Sequence, residues 1–544
     1  MFCSRTRLVS FFFLLGTLAL PWLSQYGLAQ SSPQKSAAMS RLAPAPPMGW
    51  ASWNHYFCDY DEKTIREQAD ALVSTGMRDA GYKYVIIQEC IAPRRNTKGN
   101  LVVDSARFPS GIRELAAYIH KLGLKAGIYT DIGRNTCYPD PKYQGSYGHE
   151  QQDADTFAAW GIDLVEMDYC MDYCNRVETH TGRWVYERMA EAIKKTGRPM
   201  IFSLCSWGNE QPWEWAQGKA QMWRTDLDIS FEKNHVEWDR VVRNFESSSA
   251  HSVFSGPESW NDADMLEIGN AGLSDTEAQA QMSMWAISPS PLLAGADLTH
   301  MSSRAVEIYM NREVLAVNQD ALGAGAERIA SAGPGLEVWA KVLGSRTSGE
   351  YAVLLLNSTE EPNPMEVHWT DLDLLPDARV RDLWSHKDVS TASDSYQAVV
   401  PAHGAVLLRV SGTRSWEHGV VYEAEWPGIE RAGVAALFGC GECSRGYAVG
   451  LADKNRPGSL HISNIVVPVA GLYTLRVQYV RNGIADEEIG IEVNGVKTKA
   501  LALMRSWNWV DVPITLQAGE NDITLSYKGE QPFYVDNMTL LRRR

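Results

Sequence analysis

Residues 154–170 read ADTFAAWGIDLVEMDYC. The first part, Ala154–Trp160, has the spacing of an amphipathic helix. The second, Ile162–Cys170, is a mostly apolar strand with two acids, Glu166 and Asp168, toward its end. The same alternation runs outward from about residue 44 to 325. Strands are predicted over Met48–Trp53, Tyr82–Glu89, Leu124–Gly133, Ile162–Cys170, Met200–Trp207, Met222–Ile229, Ser252–Trp260 and Pro291–Asp297, with helices such as Ile112–Leu122 and Trp184–Lys195 between them. Eight strand-then-helix units in a segment of this length predict a (β/α)8 barrel. The rival, a doubly wound sheet, is expected to carry a Gly-rich phosphate loop, and nothing here resembles one.

Beyond Gly323 the period changes. Leu336–Leu343, Tyr351–Asn357, Pro364–Trp369 and Ala405–Val410 are short alternating strands divided by turn residues, which predicts an antiparallel β-sandwich over 326–413. A second all-β segment, 420–544, includes Leu460–Val467, Gly471–Tyr479, Glu488–Val493 and Asp522–Tyr527 and reads as another sandwich. The fold class is therefore an α/β TIM barrel over 44–325 followed by two all-β sandwich domains. No long low-complexity linker separates them, so the three are expected to pack on one another.

The 544 residues suffice for two to four domains, and 45% hydrophobic with 22% charged residues is an ordinary globular composition. A formal net charge of −15 argues against nucleic acid as a partner, because phosphates demand clustered Lys and Arg. Residues 1–29 read as a secretory signal peptide: Arg5 and Arg7, an apolar run Leu8–Leu20, then Gly27-Leu28-Ala29 at the cleavage site. That run is shorter than the roughly 20 residues needed to span a bilayer. The mature chain is expected to be secreted or periplasmic, free of membrane, and a homo-oligomer is left open. Of nine cysteines, eight remain once Cys3 leaves with the signal, and an even count in an exported protein favours disulfides. Cys440-Gly-Glu-Cys443 reads as a small loop-closing disulfide.

In a barrel of this kind, residues at the carboxyl ends of the strands converge on one site. Those ends carry Trp50 and Trp53, Gln88-Glu89, Asp131, Glu166 and Asp168, Cys205-Ser206-Trp207, Arg224 with Asp226 and Asp228, and Trp260-Asn261-Asp262 with Asp264. Carboxylates, tryptophans and one arginine around a common mouth describe a sugar site. The chemistry they support is glycoside hydrolysis, in which one carboxylate attacks the anomeric carbon and another protonates the leaving oxygen. No Ser-His-Asp spacing, Walker loop or HExxH helix competes, and no cofactor is expected for catalysis.

Six stretches in order, APPMGWASWNHYFC (45–58), RFPSGIRELAAYIHKLGLKAGIYTDIG (107–133), WGIDLVEMDYC (160–170), WRTDLDI (223–229), ESWNDADMLEIGNAGLS (258–274) and VLAVNQDALG (314–323), resemble glycoside hydrolase family 27, the α-galactosidase and α-N-acetylgalactosaminidase group. The resemblance implies a retaining hydrolase with its nucleophile on Asp168 and its acid/base on Asp228, and Asp226 as the weaker candidate for the latter. It implies carboxyl groups roughly 5–5.5 Å apart, Arg224 directed at the sugar 2-position and available as the cation near Asp168, and Cys58–Cys90 and Cys137–Cys170 disulfides. Cys205 lacks the family's later partner, and Cys174 is its substitute candidate. Trp53, Gln88, Glu89, Asp131, Glu166, Ser206, Trp207, Trp260 and Asp262 complete the expected substrate contacts. Where galactosidases of this family usually carry Asp-Asp, this chain has Gln88-Glu89, and Glu166 replaces their usual Lys two residues before the nucleophile. The family default is an α-galactosidase acting on an oligo- or polysaccharide. An isomalto-dextranase-like α-glucan hydrolase is the alternative, and a catalytically inactive carbohydrate-binding protein the alternative of another class.

Residues 420–543 resemble carbohydrate-binding modules of family 35 and 6 type, through Val421-Tyr422-Glu423-Ala424-Glu425, Gly446–Gly450, Trp507–Val510 and Tyr534-Val535-Asp536-Asn537. The resemblance implies a structural Ca2+ on Glu423, Glu425 and Asp536, with Asn537 and Tyr447 or Trp507 as sugar contacts. Hard carboxylate oxygens suit that ion.

Overall fold

The computed structural model describes residues 41–138, 142–170, 180–389, 393–453, 456–481, 487–503, 508–529 and 533–542. The expected signal peptide lies outside them. Eight parallel strands, β1 (Met48–Ala51), β2 (Tyr84–Ile87), β3 (Lys125–Asp131), β4 (Leu164–Asp168), β5 (Ile201–Cys205), β6 (Met222–Arg224), β7 (Trp260–Asp262) and β8 (Leu292–Ala294), form one sheet in the order β8-β1-β2-β3-β4-β5-β6-β7. Leu266, just past β7, meets Ala294 in a parallel bridge, with Leu266 N–H donating to Leu293 O at 2.7 Å and Gly295 N–H to Leu266 O at 2.8 Å. That bridge completes the ring. The strands are buried on both faces, as a parallel sheet inside a layer of helices requires. Neighbouring strands approach closely at Gly49, where a Cβ would stand 2.3 Å from Tyr84 O.

Seven of the eight strands fall inside their predicted ranges. The seventh does not: Ser252–Phe254 is a 3-10 turn, and the strand begins at Trp260 instead of ending there. Trp260 therefore sits on the barrel floor, fully buried, its indole donating to Ala43 O at 2.9 Å. Helices α1 (Glu62–Ser74), α2 (Ile112–Lys121), α3 (Glu150–Trp160), α4 (Gly182–Lys195), α5 (Trp238–Ala250) and α6 (Asp275–Ile287) surround the barrel. Helix α6 is entered through a Ser274/Glu277 capping box and is buried on nearly every side. Its apolar residues are spread around the helix because it lies between the barrel and a second sheet.

That sheet runs in the order 327–333, 336–342, 350–357, 404–411, 379–382, 387–389, opposite a pair formed by 363–368 and 395–400. Leu354, Leu356, Ala405 and Leu407 join the barrel's core across α6. Residues 420–542 form two further antiparallel sheets around a separate core that includes Tyr473, Tyr479 and Tyr527. They meet the barrel through Tyr447, whose ring lies edge-on to Phe254 at 4.9 Å and whose hydroxyl donates to the Glu214 carboxylate. Arg445 pairs with Glu327 at 2.7 Å nearby. Among the described residues no helix is long and apolar enough to cross a membrane.

Candidate active site

At the carboxyl end of the barrel a pocket of about 70 Å³ is lined by residues that include Trp53, Gln88, Glu89, Tyr129, Glu166, Asp168, Trp207, Arg224, Asp228 and Asp264. Asp168 ends β4. Its Oδ2 accepts the Tyr129 hydroxyl at 2.8 Å and its Oδ1 the Tyr169 N–H at 2.9 Å. The Cys137 sulfur, bonded to Cys170, lies 3.1 Å from Oδ2. Asp228 stands in the loop beyond β6, facing the same pocket. Its Oδ1 accepts Arg224 Nη1 and the Trp207 indole, both at 3.1 Å. Arg224 Nη2 pairs with Asp264 at 2.9 Å. The expected cation near Asp168 is thus held by Asp228 and Asp264.

Backbone geometry fixes several of these groups. Glu89, Trp207 and Asp264 all have positive φ, a strained state that persists only where surroundings enforce it. Trp207 turns into Gly208, where a Cβ would lie 2.5 Å from Thr225 O, so only glycine permits the turn that presents the indole. Gln88 is oriented by Trp53, whose backbone N–H donates to Oε1 at 2.9 Å. Its Nε2 consequently faces Glu166 and donates to both carboxylate oxygens, at 3.0 and 2.8 Å. Glu89 accepts from the Tyr138 and Cys90 backbone N–H groups at 3.0 and 3.2 Å.

Burial first, and then the neighbouring acids, raise the pKa values of these carboxyls. Burial, then the charge of Asp228, pushes Asp168 up to about 7, against the downward pull of the Tyr129 and Tyr169 hydrogen bonds. Burial also raises Asp228, although Arg224 opposes it. Glu166 is pushed up to about 8 by burial and then by Asp168.

Four expected sugar contacts do not line the pocket. Asp131 is wholly buried beneath it, accepting Gly133 N–H at 2.5 Å and Cys170 N–H at 3.0 Å, and so anchors the loops after β3 and β4. Ser206 is fully buried. Asp262 turns inward to accept the Asp264 N–H at 2.8 Å, and Trp260 is on the floor. Trp50 is likewise buried, bonded to Ala296 O at 2.8 Å. Asp226 points away, pairing with Arg243 at 3.3 Å. Tyr129 was missed, although it shares a strand face with Asp131 two residues later. Asp264 was noticed without a role.

The Cys58–Cys90, Cys137–Cys170 and Cys440–Cys443 disulfides are all present. Cys205 is free and buried, 3.6 Å from Arg224 Nη1, and Cys174 lies outside the described residues.

In the C-terminal segment, the Ser444 hydroxyl bridges Glu423 Oε2 at 2.7 Å and Asp536 Oδ1 at 2.9 Å. Glu425 is fully buried and neither carboxylate oxygen has a hydrogen-bond partner. Burial, with Glu423 and Asp536 adding charge, pushes it up to about 8. The orphaned carboxylate and the charges of Glu423 and Asp536 point to a cation, although among the described residues the three do not bring their oxygens together as a preformed ligand set. Asn537, expected at a sugar, is buried and donates to Asp536 at 3.0 Å, and Tyr447 is engaged by the barrel. Trp507 lies outside the described residues.

The family model described as Alpha galactosidase A matches residues 45–320, and that of the Alpha galactosidase C-terminal beta sandwich domain matches 333–410. Alpha-galactosidase A of Cellvibrio japonicus is 41% identical over 400 residues, 70% of this chain and 95% of that one. The crystal structure of α-galactosidase I from Mortierella vinacea superimposes with a TM-score of 0.62 at 34% identity, over 69% of this chain and 99% of that one. A Saccharomyces cerevisiae α-galactosidase with raffinose gives a TM-score of 0.60 at 26% identity, over 68% and 98%. With its barrel, the following sandwich and these matches together, the chain belongs to the α-galactosidase family of glycoside hydrolases, family 27.

Proposed function

We propose that this chain is a secreted or periplasmic retaining α-glycosidase of α-galactosidase type, removing an α-linked sugar from oligo- or polysaccharides. The observation that carries the reading is the pair Asp168 and Asp228, from β4 and the loop beyond β6, facing one pocket that is walled by Trp53 and Trp207. Asp168 attacks the anomeric carbon as Asp228 gives its proton to the departing glycosidic oxygen. Asp228 then takes a proton from water, which displaces Asp168 and releases the sugar with its configuration retained. Burial favours a protonated Asp228 at rest. Tyr129 stabilises the Asp168 carboxylate.

The organisation we infer is a signal over 1–29, a catalytic barrel over 44–325, a sandwich over 326–413 and a carbohydrate-binding module over 420–544. Export is supported by the three disulfides, which persist in oxidising compartments. Glu423, Glu425 and Asp536 would hold a structural Ca2+ that ties the first strand of the module to its last. The altered Gln88/Glu89/Glu166 corner favours a second reading, an α-glucan hydrolase of isomalto-dextranase type. Aryl α-galactosides and α-glucosides, raffinose, galactomannan and dextran test both. Release of galactose is expected, release of isomaltose selects the second reading, and no turnover of any glycoside by folded protein sinks both.

A further inference from the structure

Among the described residues lining the pocket, Glu166 is the one acid bonded only by a neutral side-chain amide, with Arg224 acting on it through space alone. Asp228 and Asp264 share Arg224, Asp168 accepts the Tyr129 hydroxyl and the Tyr169 N–H, and Glu89 accepts two backbone N–H groups. Among the described residues Glu166 makes no ion pair, and its hydrogen bonds all come from the neutral Gln88 amide. The amide cannot be flipped, because Trp53 N–H occupies Oε1. Nε2 donates to both carboxylate oxygens and leaves their remaining lone pairs free to accept from a cation.

The donors facing the pocket from Gln88, Tyr129, Trp207 and Arg224 already donate to carboxylates within it. A bound sugar therefore meets an inner wall rich in acceptors and poor in cations. Glu166 lies two residues before Asp168 on the same face of β4, so it sits about 6.6 Å deeper at roughly 3.3 Å per residue. A pyranose placed with its anomeric carbon at Asp168 would turn its far edge toward Glu166.

Resting on the glycosidase reading above, we propose that this pocket selects a pyranoside bearing an ammonium group on the ring edge remote from the anomeric carbon, at C3 or C4, with Glu166 as its counter-ion. A desolvated carboxylate paired with an ammonium gains a charge-assisted hydrogen bond that a hydroxyl provides more weakly. A site that pairs such a group turns over the analogue lacking it more slowly. Burial, and after it the charge of Asp168, pushes Glu166 up to about 8, and a cation brought by the sugar would favour its ionised form.

The test compares kcat/KM for aryl α-galactopyranoside with its 3-amino-3-deoxy and 4-amino-4-deoxy analogues at a pH where the amines are protonated, in wild type, Glu166→Gln and Glu166→Lys, each checked for folding by thermal melting. The wild type is expected to favour one amino analogue at least tenfold, the favoured arm assigning the ring position. Glu166→Gln should cut that preference at least tenfold, and Glu166→Lys should reverse it. Equal or better turnover of the plain galactoside by wild type, or an unchanged preference in Glu166→Gln, overturns the proposal while leaving the glycosidase reading intact. If no glycoside is hydrolysed, the glycosidase reading fails, and calorimetric titration with the free amino sugars and galactose decides the ammonium claim. At least tenfold tighter binding of one amine supports it, and equal or weaker binding refutes it.

Discussion

Arg224 Nη1 lies 3.1 Å from Asp228 Oδ1, and the two are four residues apart in sequence on the same wall of the pocket. A guanidinium on the proposed acid/base lowers the pKa that burial has raised, so the pair sets where the acid gives up its proton. Replacing Arg224 by Met should move the basic limb of the kcat/KM profile to higher pH, because Asp228 loses the cation that favours its ionised form. The maximum should fall on the order of 10²-fold, the lower range for a disturbed general acid. A basic limb that stays in place would show that Asp228 does not control it.

Tyr129 acts on the other carboxylate. Its hydroxyl has one proton, and the 2.8 Å contact to Asp168 is shorter than the 3.2 Å contact to Glu89. Tyr129→Phe removes a hydrogen bond to the charged form of Asp168, so the Asp168 pKa rises and the acidic limb moves to higher pH. We expect kcat to fall at least about tenfold, in line with about 1.5–3 kcal/mol for a hydrogen bond to an ionised group. The pH profile of Tyr129→Phe, set beside that of Arg224→Met, tests this: one variant should shift the acidic limb, the other the basic.

The raised carboxyls also make stability depend on pH. Glu166 at about 8, Asp168 and Glu267 at about 7 and Asp262 at about 6 all stand above their ordinary values. The folded state therefore binds more protons than the unfolded chain between about pH 4 and 8, and stability falls as pH rises across that window. Glu166→Gln should raise Tm by about 2–5 °C at pH 8 and leave it nearly unchanged at pH 4.5. Calorimetric melts at both values check the sign.

In the C-terminal segment, Glu425 has no partner for either oxygen. Calcium should raise the melting temperature of the chain and EDTA lower it, by about 2.7 kcal/mol of added stability at a hundredfold excess over Kd. Above about pH 8, where Glu425 ionises, Glu425→Gln should melt higher than the wild type in EDTA, and it should lose the calcium response. A wild-type melt indifferent to both additions would remove the ion from the proposal.

How much of this could be read in the sequence depended on the kind of question asked. Asp168 and Asp228 were legible because their flanking residues, WGIDLVEMDYC and WRTDLDI, resemble the family's stretches around its two acids. The barrel followed from eight repeats of one unit. What the strand-end rule could not supply was the direction of each side chain. Asp131 and Asp262 do end strands, yet both turn back to accept backbone N–H groups of the next turn. Trp260 was displaced by a whole strand, since Ser252-Val253-Phe254 is apolar enough to pass for one while the real strand is three residues long. Tyr129 lay hidden because it precedes the strand's polar end, although the period-two rule places it on the Asp131 face.

The contact of Tyr447 with Glu214 carries the last prediction. Glu214 belongs to the short helix Pro212–Trp215, where Trp213 stacks on His251 at 3.6 Å and the Trp215 indole donates to Glu210 O at 2.8 Å. This helix ends the turn that begins at Trp207, whose indole holds Asp228. The C-terminal segment thus braces, from outside, the turn that carries a wall of the pocket. For an aryl glycoside too small to reach that segment, Tyr447→Ala should raise KM severalfold with a smaller change in kcat, and Tyr447→Phe, which keeps the ring against Phe254, should fall between. A segment that merely tethers the enzyme to polysaccharide would leave both constants unmoved on the small substrate and alter only the rate on the polymer.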